Sequence, residues 1–134
     1  MTRIKAKLIP IKLLLNRTKP VKDVMWDTLS KSKVIESIFI GLQLPMLYVD
    51  TSKDPWSVLN GSLLVVALRE YIEDGFALEG LSFLAELEGL KFSQLHRHYQ
   101  RELEETELSV CLIEGSQEIA DKIQLLINNL VNPG

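Results

Sequence analysis

Asn60-Gly61-Ser62 is where residue type and spacing in this chain point most directly to binding chemistry. The triplet lies in the run Pro55 to Arg69, PWSVLNGSLLVVALR, where a polar turn opens a predicted helix. The first N–H groups of a helix have no partner inside it, and a glycine there lets a ligand approach the backbone. Such a junction is a ready anion site. The residues that follow, Leu63 to Leu68, are apolar without a break. The turn holds neither an acid to take a proton nor a cation to hold phosphate. The scaffold of a phosphate-handling site is kept and filled with leucine.

The other reactive side chains read as structure. His96 and His98 are two residues apart, a spacing that does not bring side chains together on a helix. With no Cys or third His nearby, no metal is expected there, only solvated or capping histidines. Cys111 falls in an apolar strand pattern, where a buried thiol is inert. Glu102, Glu104, Glu105 and Glu107 read as a solvated charged face. Trp26, Tyr48 and Trp56 flank the presumed cleft and read as core rather than as platforms for a nucleobase. Asp50, Asp54 and Glu70 lie near the turn but match no catalytic motif. No cofactor is implied.

These groups need elements to position them. Arg3-Ile4-Lys5-Ala6-Lys7-Leu8 alternates strictly, which predicts a strand with one basic and one apolar face, and Pro10 marks a break before Ile11–Leu15. Residues 16–25 read as a connection. Val34, Ile35, Ile38, Phe39 and Leu42 recur at helical spacing, with Asp27 or Ser30 as cap and Gly41 near the end. Leu44–Val49 and Trp56–Leu59 read as strands joined by the polar turn Asp50–Pro55. A helix from Ser62 to about Glu73 is apolar all round in its first two turns, which predicts deep burial at that end. Short pieces at Phe83–Leu87 and Phe92–Leu95 precede a polar helix over Arg97–Glu105, a strand over Leu108–Ile113 and a last helix over Gln117–Leu130. Strands and helices intermingle without a βαβ repeat, so the expected class is α+β, a small mixed sheet packed against several helices.

A length of 134 residues fits one domain with a real core, and 25% charged residues fit a soluble fold. Charge is uneven. Residues 1–22, a basic N-terminal strand segment, carry Arg3, Lys5, Lys7, Lys12, Arg17, Lys19 and Lys22 and no acid, which leaves 8 bases against 18 acids elsewhere. Such an arm either docks on the acidic body of its own chain or contacts nucleic acid through Arg3, Lys5 and Lys7. The single cysteine allows no internal disulfide and fits a reducing, cytoplasmic setting. Lys12 interrupts the early apolar run, so no signal peptide is read, and no run is long enough to span a membrane.

Four segments, in order, resemble one family. They are Trp26-Asp27 with Lys31 to Gly41 and Leu44-Pro45; Trp56-Ser57-Val58-Leu59-Asn60-Gly61; Leu78 to Leu84 with Leu87 to Leu95; and Gln100 to Thr106. Together they resemble the N-terminal domain of GmrSD-type restriction proteins, in the ParB/sulfiredoxin-like superfamily, from about residue 26 onward. The resemblance implies a ParB-like fold over 1–134 and links to nucleotide hydrolysis or nuclease-based defence against foreign DNA. The family carries D-G-x-Q-R-L at its strand-to-helix turn, with Asp as base or metal ligand and Arg on phosphate. Here that run is Asn60-Gly61-Ser62-Leu63-Leu64-Val65. The amide is no general base, and Leu64 cannot hold an anion. A polar F-Q-R run becomes about Lys19-Pro20-Val21-Lys22, with Lys22 as a remnant. An F-x-R-I-N-T-G-G run becomes Leu125-Leu126-Ile127-Asn128-Asn129-Leu130, keeping Asn128 but placing Leu126 at the arginine. Its final helix stops near where family chains continue, so a truncated relative is one expectation.

The leading expectation is a degenerate, catalytically inactive domain that acts as an interaction or regulatory module, with a protein partner or by self-association. The alternative is a nucleotide or nucleic-acid binder without turnover, using the basic strand and the Asn60-Gly61-Ser62 turn. A third reading keeps an active enzyme with displaced acids. Leu63 and Leu64 either fill the former cleft as core or display an apolar patch.

Overall fold

The computed structural model describes residues 2–21 and 26–131. The alternating N-terminal run forms strand β1, Arg3–Pro10. Pro10 is extended (φ −60°, ψ 141°) immediately ahead of helix α1, Ile11–Arg17, where its missing N–H does no harm. Helix α1 buries Ile11, Leu14 and Leu15. The sequence signals only a break at Pro10, because so short a helix displays little periodicity. Asp27 caps α2 (Thr28–Phe39), its carboxylate accepting the Ser30 N–H at 2.7 Å. Gly41 then takes φ 84°, and the Leu42 N–H reaches back to the Ser37 carbonyl, a left-handed stop that suits glycine.

Strand β2 spans Leu47–Asp50, shorter than the run predicted from Leu44, since Pro45 brings no N–H to a ladder. A polar turn leads to β3 (Ser57–Asn60) and α3 (Ser62–Ile72). An irregular stretch follows, with 3-10 turns at Ala85–Leu87 and Phe92–Gln94. The chain ends its described part with α4 (Arg97–Glu105), β4 (Glu107–Glu114) and α5 (Gln117–Val131).

The strands make one mixed sheet of order β1-β4-β2-β3. Strand β4 runs antiparallel to β1 and parallel to β2, and β2 runs antiparallel to β3. With five α-helices among the described residues beside this sheet, the class is α+β, as the intermingled pattern predicts. Side chains alternate across the sheet. Leu47, Val49, Leu108 and Val110 join Ile35, Leu68, Tyr71 and Leu103 in the main core on one face. Cys111 and Ile113 form a smaller cluster on the other, packed against Ile127 and Ile123 of α5.

Strand β1 forms with one basic and one apolar face, as the alternation predicts. Its apolar face stays uncovered, with Ile4 and Leu8 each 60% exposed, at one of the two outer rims of the sheet. Among the described residues no helix is long and apolar enough to cross a membrane.

Candidate functional site

Strand β3 delivers Asn60 to a left-handed corner at Gly61 (φ 99°, ψ 17°), and α3 starts one residue later. Glycine is required there twice over. L residues rarely adopt that φ, and a Cβ would run into the buried side chain of Leu47. The Gly61 carbonyl receives the Leu64 and Val65 N–H groups at 3.1 and 3.2 Å. Those of Ser62 and Leu63 precede any possible partner in the helix. The turn lines a depression formed by Leu59, Asn60, Gly61, Ser62 and Leu63. Its backbone is suited to an anion, while its side chains are an amide, a hydroxyl and apolar groups.

Leu63 and Leu64 divide between the two outcomes left open for them. Leu64 packs on the main core, whereas Leu63 is 44% exposed. The prediction of deep burial at this end of α3 therefore fails at Leu63 and holds from Val65 to Leu68, all buried. The first turn of α3 stands at the sheet's end, where one side of the helix faces out.

Two of the three acids near the turn are engaged elsewhere. Glu70 accepts the Lys31 ammonium at 2.5 Å, and Lys31 also lies 4.9 Å from the centre of the Phe76 ring. Asp50 is buried and accepts the Ser52 N–H at 2.9 Å. Asp54 is exposed in the turn before β3. None of the three lines the depression.

Several polar anchors hold the surrounding framework, and none was legible from motifs. The Glu36 carboxylate of α2 accepts the N–H groups of Ser82, Phe83 and Leu84 at 3.0, 2.8 and 3.0 Å. Burial pushes its pKa up, but those three hydrogen bonds outweigh it and hold the carboxyl below its ordinary value. Arg69 of α3 donates to the Leu15 and Thr18 carbonyls at 3.1 and 3.2 Å, satisfying acceptors at the end of α1. The partners of Glu36 lie more than forty residues away in sequence, and only their common location reveals the link.

The remaining candidates lie apart. Leu126 is 63% exposed on α5, and Asn128 accepts the Gln124 side-chain amide at 3.1 Å. Neither lines the depression at Gly61. Lys22 lies outside the described residues. Arg3, Lys5 and Lys7 are exposed on β1, at the opposite rim of the sheet from Asn60. Register puts Asn60 opposite Tyr48, Tyr48 beside Cys111 and Cys111 opposite Ala6. Three strand spacings, about 14 Å, separate the turn from the basic strand. The two halves of the predicted binding surface are therefore not brought together.

His96 and His98 also correct expectation. They do meet, with Nδ1 atoms 2.8 Å apart, because His96 stands outside α4 as its N-cap and accepts the His98 N–H at 3.3 Å. Their role is the capping one. No group of three or more potential metal-ligating side chains occurs among the described residues. Burial pushes the Cys111 thiol up from its ordinary value, away from thiolate reactivity. Trp56 packs on the main core with the Arg17 guanidinium 5.3 Å from its ring centre.

Compared with known proteins, the chain matches no family model, no curated protein and no solved structure.

Proposed function

We propose that this chain is a catalytically silent ParB-like domain of the GmrSD N-terminal type, working in the cytoplasm as an interaction or regulatory module in defence against foreign DNA. Its partner is a protein, either an active relative or a second copy. The observation that carries the reading is the Gly61 corner. A left-handed glycine opens the helix there, while the flanking positions are Asn60, Leu63 and Leu64. An amide in place of a carboxylate removes the base, and leucine in place of arginine removes the phosphate clamp. The nearby Glu70 is held by Lys31 and supplies no substitute.

The test is a combined thermal-shift and phosphate-release screen with ATP, GTP and their deoxy forms, with and without magnesium. Neither stabilisation nor release is expected. Phosphate release that disappears in Asn60→Ala or Ser62→Ala overturns the reading.

A second reading, nucleotide or nucleic-acid binding without turnover, draws support from the Ser62 and Leu63 N–H groups at the start of α3. Stabilisation without release, weakening steeply with salt, is its signature.

A further inference from the structure

We propose that the outer edge of β1 takes up an extended strand from a partner protein, one that alternates acidic and apolar residues. The inference rests on the reading of this domain as an interaction module and names the partner's chemistry.

Strand β1 is eight residues long and pairs through one edge only, with β4. Among the described residues nothing pairs with its other edge, so a row of backbone donors and acceptors faces outward. Exposed edges of this length are usually blunted by bulges, proline, a covering loop or charged side chains, and β1 relies on the charges Arg3, Lys5 and Lys7, which repel a like-charged strand and admit an acidic one. Here the pairing from Arg3 to Pro10 runs in unbroken register, and proline appears only at the last position. The far rim of the sheet differs. There the segment after α1 forms a bridge from Thr18 to Trp56, the residue just ahead of β3, with Lys19 N–H on the Trp56 carbonyl and Trp56 N–H on the Arg17 carbonyl, both at 2.7 Å.

Side chains specify what the edge would accept. Arg3, Lys5 and Lys7 share one face, opposite Glu114, Leu112 and Val110 of β4. The ion pairs among the described residues are Lys31–Glu70 and Lys122–Glu118, so none of these three cations is in a salt bridge among the described residues, and only Arg3 has an acid, Glu114, opposite it in the ladder. A strand laid beside β1 with acids on that face would pair with them, while its apolar residues would cover Ile4 and Leu8 on the other face. A second copy fits poorly. Pairing two β1 strands about a twofold axis normal to the sheet sets cation against cation, and like charges directly opposite destabilise a ladder. A nucleic acid would use the cations but leave Ile4 and Leu8 in water.

The experiment is an NMR titration of the isotope-labelled protein with an eight-residue peptide alternating glutamate and valine, beside a peptide of equal composition with its glutamates in one block. The alternating peptide is expected to shift β1 amides and to bind about tenfold more tightly than the block form. Lys5→Glu with Lys7→Glu should abolish those shifts, and Lys5→Gln with Lys7→Gln should weaken them with the melting curve unchanged. Equal binding of both peptides, a single-stranded oligonucleotide displacing the alternating peptide, or no β1 shift at all would overturn strand uptake. Failure here with a silent hydrolysis screen removes strand uptake alone, whereas nucleotide turnover removes the module reading beneath it.

Discussion

The two faces of the sheet are built by different means. On the main face, helices α2 to α4 press Leu68, Leu103 and Ile35, each 0% exposed, against the strands. Even charged groups are drawn in and bonded there, as with Glu36 and with Lys31, which pairs with a partly exposed Glu70. On the other face, among the described residues, only helix α5 covers Cys111 and Ile113, through Ile127. It leaves Leu125, Leu126 and Leu130 at 66%, 63% and 74% exposure, and Ile4 and Leu8 of β1 are uncovered as well. Stability is concentrated on the first face, and apolar surface available for association on the second.

Mutations can break this contrast. Leu68→Ala, in the main core, should cost about 3 kcal/mol in urea unfolding; a loss below about 1 kcal/mol would mean that the main core is not packed as described. Glu36→Gln comes next, at about 2 kcal/mol, because it removes a charged acceptor from three backbone donors. Since the folded carboxyl lies below its ordinary value, its contribution is complete above the unfolded carboxyl range and fades as pH falls through the folded one. The wild type should therefore lose more stability on acidification than Glu36→Gln, and parallel pH curves would remove Glu36 from this role. Smallest of all, Leu126→Gln with Leu130→Gln should change monomer stability by no more than about 0.5 kcal/mol. A larger loss would show that α5 buries that side after all.

Much of this architecture is legible in the sequence wherever one element carries its own period. The spacing of Val34, Ile35 and Ile38 reveals α2, and the alternation of Leu108 to Ile113 reveals β4. Helix α1 hides because docking, not propensity, makes it, with Ile11 and Leu14 fully buried. The histidine pair hides because a helix spacing rule does not apply to a residue outside the helix. At the candidate site, the strand-to-helix turn and its glycine follow from Asn60-Gly61-Ser62. The separation of that turn from Arg3, Lys5 and Lys7 does not, since strand order is fixed by contacts distant in sequence.

The pairing of β1 also dictates when it can form. Arg3 to Pro10 find their partners in Glu114 to Glu107, about a hundred residues further along. During synthesis the first strand leaves the ribosome long before its neighbour exists, and the chain must close its largest loop to complete the sheet. Until β4 exists both edges of an alternating basic and apolar strand stay unpaired, so the rim left unpaired among the described residues belongs to a strand whose other edge is also exposed through most of synthesis.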